Sequence, residues 1–353
     1  MGHTILPEFE IEGNTLVKFN RSSWKAVVPP GVEIIGEDAF AFRYDLYDED
    51  TLETVILPQG VVSIGVGAFS GCNSLTGIHI PDTVTAIEDG AFRGCTSMET
   101  LTLPEGLISI GETAFYDCFR LTELVIPESV QRIGWGAFAD CSGLQRVRLP
   151  GGIGAIPEYA FQRCEDLTDL IIPEGITAIG AGAFDRCCNL VTLTLPDSVR
   201  SIGRGAFFYC SKLSSVRIPE GAMIPEPIGE LFGTTEPNIL YTPGRSISGL
   251  GKHKTPAALG YMALTAQGQT FPPELAEEYE AYIRHNPVEF YFTDVLADLP
   301  LRHLMEHRYI PRKDVVLLLE MLELEDKFDL KASLLEYLGT VFPGAEPELD
   351  FTL

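Results

Sequence analysis

Residues Cys118–Cys141 read C-F-R-L-T-E-L-V-I-P-E-S-V-Q-R-I-G-W-G-A-F-A-D-C, and this phrase recurs along the chain. Its Ala-Phe dipeptide returns every 23 residues, at Ala68-Phe69, Ala91-Phe92, Ala114-Phe115, Ala137-Phe138, Ala160-Phe161, Ala183-Phe184 and Ala206-Phe207. An earlier copy, Ala39-Phe40, lies 29 residues before the next because an acidic stretch around Asp45–Asp50 is inserted. A fixed period of this length indicates a repeat solenoid, whose units bury their apolar sides only against their neighbours.

Each unit contains one predicted β-strand. In the segment Leu121–Ile126, apolar residues that point inward alternate with Glu123 and Val125, which point outward, as strand geometry requires. Pro127 ends the strand because proline has no backbone donor. Stacked coils are then about 4.8 Å apart. The phenylalanines of successive coils are therefore predicted to form a continuous ladder inside the solenoid.

The remaining half of the unit is predicted to turn back towards the next strand. Val130 and Ile133 supply a second inward pair, and Gly134 and Gly136 allow tight bending. Seven of the eight cysteines occupy one position of the repeat, which predicts a ladder of buried, free thiols. Disulfides between adjacent coils remain an alternative, since the expected Cα separation permits them. Cys188 alone lies outside this position.

The pattern L-x-x-L-x-L-P followed by V-x-x-I-G-x-x-A-F-x-x-C resembles the BspA-like family of bacterial leucine-rich repeats. The resemblance extends from about Ser23 to Phe232. It implies a curved or twisted solenoid with parallel β-strands on one face and short turns opposite. Relatives are commonly cell-surface adhesins or proteins with binding roles, so the resemblance implies a binding function rather than catalysis.

Four segments are predicted along the chain. Residues 1–22 form an N-terminal β-hairpin cap, because two alternating runs flank Gly13-Asn14. Residues 23–232 form the solenoid, 233–255 a degenerate last coil and linker, and 256–353 a C-terminal all-α module. Helices are expected over Pro272–Asn286, Phe290–Leu296, Leu299–Tyr309, Asp314–Leu324 and Leu330–Phe342. The segments L-R-H-L-M-E-H-R-Y-I-P and L-K-A-S-L-L-E-Y-L resemble the helix pairs of ankyrin repeats.

Charge and hydropathy exclude two classes of partner. The net charge is −25, and residues 256–353 alone carry 18 acidic and 7 basic side chains, so nucleic acid would be repelled. No run approaches the roughly 20 apolar residues of a membrane span. Met1–Glu8 lacks the basic and apolar regions of a signal peptide, which predicts a cytoplasmic location. A cell-surface or secreted location is the alternative if a leader has been removed.

His303-Leu304-Met305-Glu306-His307 fits H-x-x-E-H, in which two histidines one turn apart bind Zn²⁺ and the glutamate activates water. A third ligand would have to come from the acids downstream, Glu320, Glu323 or Glu336. Few residues follow His307 in the chain, too few for the large domain of such proteases. Both histidines are therefore expected on the helix surface, and the prediction is no metal and no cofactor. A metal-dependent hydrolase in the helical module is kept as an alternative function.

The outward face of the strands is the predicted binding site. Arg146, Arg148 and Arg217, beside Val125 and Ile171, make a mixed basic and apolar patch there, and arginine with apolar neighbours is typical of interface anchors. The candidate residues are Arg146, Arg148, Arg217, Val125 and Ile171, with Trp135 as a second possible anchor. The alternative is that these side chains only support strand pairing. The predicted function is a non-enzymatic scaffold for a protein or peptide ligand, and a surface adhesin for host protein or glycan is a further alternative.

Overall fold

The computed structural model of the chain describes residues 8–20, 23–42, 51–225, 228–232, 237, 239–241, 246–248, 250, 254–291, 298–324 and 327–343. The chain forms two compact units, Met1–Pro237 and Asn238–Leu353. The first unit contains the repeats and the second contains the long helices. The acidic insertion at Asp45–Asp50 and much of the predicted linker lie outside the described residues. The finer division into four segments stays a prediction.

The predicted N-terminal hairpin is confirmed. Strands β1 (Phe9–Glu12) and β2 (Thr15–Phe19) pair antiparallel, and Gly13 adopts φ +64° in the turn between them. Strand β2 then pairs in parallel with the first short strand of the repeats, Ile34–Ile35. The hairpin therefore covers the edge of the first coil, whose unpaired backbone groups would otherwise be open to aggregation.

The predicted parallel strands are present as one three-residue strand in each coil, and they form three successive hydrogen-bonded groups. They are β3 (Lys25–Val27), β5 (Thr54–Ile56), β7 (Gly77–His79), β9 (Thr100–Thr102), β11 (Glu123–Val125), β13 (Arg146–Arg148), β15 (Asp169–Ile171), β17 (Thr192–Thr194) and β19 (Ser215–Arg217). Parallel pairs join β3 to β9 in sequence, β11 to β15, and β17 to β19, each in the register of the repeat. In β11 and β13 the middle residue is buried and its neighbours are exposed, as the alternation predicts.

A second ladder, which the sequence pattern did not predict as strands, lies in the other half of each coil. Its two-residue strands are β4 (Ile34–Ile35), β6 (Ser63–Ile64), β8 (Ala86–Ile87), β10 (Ser109–Ile110), β12 (Arg132–Ile133), β14 (Ala155–Ile156), β16 (Ala178–Ile179) and β18 (Ser201–Ile202). The ladder runs unbroken from β4 to β12 and again from β14 to β18. A 3-10 helix, Gly151–Ile153, precedes β14 at the break. Each coil thus has two short strands joined by tight turns.

The predicted phenylalanine ladder fills the core between the strands. Its members are fully buried or nearly so: Phe40, Phe69, Phe92, Phe115, Phe138, Phe161, Phe184, Phe207 and Phe232. Ring centroids are 4.7 Å apart between Phe40 and Phe69, and the separation grows to 6.2 Å between Phe207 and Phe232. Stacked aromatic pairs at these separations contribute beyond the area that they bury. The increasing ring separation indicates that adjacent coils lie progressively farther apart along the phenylalanine ladder.

The predicted cysteine ladder is also present, and all eight cysteines are free. Seven are buried, and each thiol donates a hydrogen bond to the carbonyl oxygen of a ladder phenylalanine on the preceding coil, as Cys141 does to Phe115 at 3.2 Å. Burial raises the pKa of the Cys141 thiol to about 12, so the reactive thiolate is scarce at neutral pH. Cys188 is partly exposed and lies outside the ladder.

We expect native protein to react rapidly with about one equivalent of a thiol reagent, at Cys188, and unfolded protein to react at all eight cysteines. The reason is that a buried thiol with a raised pKa offers neither access nor thiolate. Absorbance with a chromogenic disulfide reagent measures the count, and Cys188→Ala should remove the rapid phase. Two or more rapid thiols in that variant, or disulfides found by mass spectrometry, would contradict the buried, reduced ladder.

The second unit is helical, as predicted. Its long elements are α2 (Lys254–Ala266), α3 (Pro273–His285), α4 (Leu299–Glu306), α5 (Arg312–Leu324) and α6 (Phe328–Val341); a short helix, α1 (Gly229–Phe232), closes the first unit. Helix α2 contacts α3 and α4, and α5 packs on α6. The helix predicted over 290–296 falls mainly outside the described residues, and 287–290 are a 3-10 helix. The two segments likened to ankyrin helices belong to α4 and α6, which α5 separates in the chain, and that resemblance stays a prediction.

Among the described residues, no helix combines the length and the apolar composition that crossing a membrane requires.

Candidate functional site

Three of the predicted site residues lie side by side on the outer strand face. The register pairs Arg148 of β13 with Val125 of β11 on one side and with Ile171 of β15 on the other. Arg148 is exposed, and the side chains of Val125 and Ile171 are 53% and 44% exposed. Adjacent strands are about 4.8 Å apart, so one ligand can contact all three side chains at once. We call Val125, Arg148 and Ile171 the apolar-arginine patch.

Arg146, two residues earlier on the same strand, is already paired. Its Nη2 is 3.1 Å from Oε2 of Glu123 on β11, and the register places Asp169 of β15 opposite it on the other side. The two paired side chains are each about half exposed, so their salt bridge is worth at most about 1 kcal/mol. Arg146 is therefore an exposed candidate residue whose guanidinium already has a carboxylate partner, and its role in binding stays a prediction.

Arg217 is paired more completely. Its Nη2 is 2.9 Å from Oδ1 of Asp197, and its Nη1 donates to the carbonyl oxygen of Leu195 at 3.2 Å. Its side chain is only 35% exposed. By contrast, within the described part of the chain, Arg148 has no salt-bridge partner. Of the three predicted arginines, the structure leaves Arg148 as the available guanidinium.

An open groove of about 370 Å³ adjoins the patch at Val125. Its walls carry the carboxylates of Glu99, Glu105 and Glu123 and the hydroxyls of Thr100, Thr102 and Thr122. Glu99 is bound to Arg120 at 3.2 Å, and Glu123 to Arg146. The sequence interpretation missed this groove, although the acidic excess of the chain was a signal that could have indicated it. A ligand lying across the strands would meet carboxylates, then Val125, then the Arg148 guanidinium.

Trp135 lies on a different part of the coil. It follows β12 in the second ladder, its side chain is 46% exposed, and its ring centroid is 5.6 Å from that of Tyr159 on the next coil. The indole thus packs partly against a neighbouring coil. The structure does not bring Trp135 together with the apolar-arginine patch.

The H-x-x-E-H motif of α4 takes a form that the sequence did not predict. His303 is buried, so its expected surface position is wrong, whereas His307 is exposed as expected. The carboxylate beside the two histidines belongs to Glu280 of α3, 23 residues before His303, and not to the acids that were expected downstream. No spacing rule links residues of two different helices, which is why the motif alone could not identify Glu280.

Comparison with known proteins gives a family for the repeats. The family described as "BspA type Leucine rich repeat region" matches residues 33–168 and 137–226, with six copies. No curated protein matches the chain. Among solved structures, the chain is similar to a leucine-rich repeat protein of T. pallidum, at 29% identity over 56% of this chain and 82% of that one, with a TM-score of 0.43. It is also similar to a leucine-rich repeat protein of Bacteroides ovatus, at 25% identity over 66% and 68% of the two chains, with a TM-score of 0.48.

Proposed function

The chain belongs to the BspA-type leucine-rich repeat family, and from that premise we propose that it is a non-enzymatic scaffold that binds a peptide segment of a partner protein across β11, β13 and β15. Solenoids present extended binding surfaces because every coil exposes the same strand positions. Each coil is held rigid by the coils on either side of it, so less conformational entropy is lost when a ligand binds.

The observation that carries the proposal is Arg148, an exposed guanidinium without a salt-bridge partner among the described residues, between two exposed apolar side chains. Arginine is enriched at the centre of interfaces, where apolar neighbours exclude water from its hydrogen bonds. A guanidinium is costly to bury unless a carboxylate or phosphate pairs with it, and a carboxylate can do so through two parallel hydrogen bonds. The partner therefore presents an acidic residue to Arg148.

The charges around the groove and the patch determine the order of charged and apolar side chains in the ligand. Of the groove's three carboxylates, that of Glu105 has no salt-bridge partner among the described residues and favours a basic side chain on the β9 side, while Arg148 favours an acidic one on the β13 side. Val125 lies between them and accepts an apolar residue. The peptide that fits is one with a basic, an apolar and an acidic residue in that order across the strands.

We expect peptides selected from a random display library on the full chain to carry an acidic residue beside an apolar one, and Arg148→Ala to weaken their binding about thirtyfold, or about 2 kcal/mol. Fluorescence anisotropy of a labelled selected peptide measures the affinity. The matched control is Arg132→Ala, because Arg132 is also an exposed arginine on a parallel strand but belongs to the second ladder. Its removal should leave the affinity unchanged.

Equal binding by Arg148→Ala and the parent would show that this strand face is not the site, and a Trp135→Ala variant would then be compared. Failure of the library to yield any peptide that binds would remove the peptide-scaffold proposal itself.

A further inference from the structure

Glu280 of α3 and His303 and His307 of α4 bring three potential metal-ligand atoms together, all within 4.8 Å of one another. We propose that these residues bind one divalent transition-metal ion of the Zn²⁺ type, which links α3 to α4. This site is separate from the strand face and does not depend on the proposed peptide binding.

One separation in the cluster already matches that of two zinc ligands. Nε2 of His303 is 3.2 Å from Oε2 of Glu280. Two ligands on a tetrahedral zinc at bond lengths of about 2.1 Å are about 3.4 Å apart, so the ion requires almost no movement of this pair. His303 and His307 are one helical turn apart, with ring centroids 4.2 Å from each other and ring planes at 25°. The two imidazoles are therefore stacked on one side of α4, and one ring nitrogen of each lies within 4.8 Å of a carboxylate oxygen of Glu280.

Hydrogen bonds around the cluster hold the ligands in the required form. Nδ1 of His307 lies 2.9 Å from the carbonyl oxygen of His303, so Nδ1 carries the proton and the Nε2 lone pair is left for a metal. The hydroxyl of Tyr261 donates to Oε1 of Glu280 at 3.0 Å, and that of Tyr309 donates to Oε2 at 3.0 Å. In metal sites, the ligand histidine commonly donates a hydrogen bond to a backbone carbonyl, and the ligand carboxylate commonly accepts one. Such hydrogen bonds orient the ligands.

Metal binding also requires one proton to move. In the structure, Nε2 of His303 faces Glu280 as a hydrogen-bonding partner, and a metal ion would take the place of that proton. The proton passes to Nδ1 of the same ring, or to solvent if the ring was charged. His307 is exposed, which gives the ion a path into the cluster. A buried histidine–glutamate pair would need only one histidine, so it is the second imidazole that favours a metal site over a simple hydrogen-bonded pair.

The ligand set selects the type of metal. Two imidazoles and one carboxylate suit Zn²⁺, and also Co²⁺, Ni²⁺ and Cu²⁺, whereas Mg²⁺ and Ca²⁺ prefer sites made only of oxygen ligands. Three protein ligands leave a fourth tetrahedral position for a water molecule or an added group.

The test is a calorimetric titration of metal-free full chain with ZnSO₄ in excess MgCl₂, which occupies loose carboxylate sites. We expect one zinc per chain and a raised melting temperature, because a ligand that binds only the folded state stabilises it. His307→Ala and Glu280→Gln should each weaken binding about a hundredfold or more, since loss of an outer-shell partner alone costs 10- to 100-fold. His307 is exposed, so its alanine variant should fold, and circular dichroism checks this.

His285→Ala is the matched control. His285 is also exposed, lies on α3, and faces a carbonyl oxygen one turn earlier through Nδ1, yet it lies outside the cluster. Its removal should leave zinc affinity unchanged. The proposal is overturned if the parent shows no saturable zinc binding, or if the folded His307→Ala variant binds zinc as tightly as the parent.

Discussion

Phe115→Ala is expected to lower the free energy of unfolding of the first unit by about 4 kcal/mol. Phe115 is fully buried and stacks between two other rings, 5.2 Å from Phe92 and 5.3 Å from Phe138. Alanine would remove both stacking contacts and leave a cavity that the close-packed coils on either side cannot fill. A solenoid has contacts only between neighbouring coils, so a defect in the middle weakens the link between its two halves.

Urea unfolding followed by circular dichroism measures this loss. Phe119→Ala is the matched control, because Phe119 lies in the same coil but its side chain is 43% exposed. Its removal should cost less than about 1 kcal/mol. If the two variants had the same unfolding midpoint, the ladder would not be the main source of cohesion between the coils.

Gly134→Ala is expected to destabilise the protein by about 3 kcal/mol, through overpacking rather than through a lost contact. A Cβ at Gly134 would lie 2.5 Å from the carbonyl carbon of Gly111 and closer still to the amide nitrogen of Glu112, both in the backbone of the preceding coil. Backbone atoms held by the ladder on each side cannot withdraw as a flexible side chain could. Parallel strands of the second ladder would have to separate at this point.

Gly152→Ala provides the control, because a Cβ there would meet its nearest neighbours at 3.7 Å, an ordinary van der Waals distance. Thermal unfolding of both variants should show a large drop for Gly134→Ala and little change for Gly152→Ala. A similar melting temperature for the two would show that the coils can move apart at little cost. Glu88 and Pro157 take the equivalent position in two other coils, so the steric demand differs from coil to coil.

The role of Gly134 shows how far pattern reasoning reached. The sequence interpretation assigned both Gly134 and Gly136 to tight bending. Gly136 has φ +57°, which confirms that role, but Gly134 is required for the close approach of the preceding backbone. A repeated glycine indicates a backbone constraint, and only the packed coils show which constraint it is.

The candidate binding face was also predicted only in part: the repeat predicted its register but not its ion pairs. The register of Val125, Arg148 and Ile171 followed from the repeat, because residues 23 apart become neighbours on adjacent strands. The ion pair of Arg146 with Glu123 and the bonds of Arg217 to Asp197 and Leu195 depend on side-chain conformation, which a repeat pattern does not contain. In the structure two of the three predicted arginines are therefore paired, and the binding residues stay a prediction.

The sequence alone determined the solenoid, the ladders of phenylalanine and cysteine, and the terminal hairpin. It could do so because a solenoid makes its contacts at one constant sequence separation, so that periodicity along the chain is equivalent to adjacency in space. Only the tertiary structure decided that Glu280 meets His303 and His307, and that His303 is buried. Helices of an irregular unit pack through faces whose pairing follows no repeat, so residues of α3 and α4 become neighbours through the packing of their side chains and not through any spacing in the sequence.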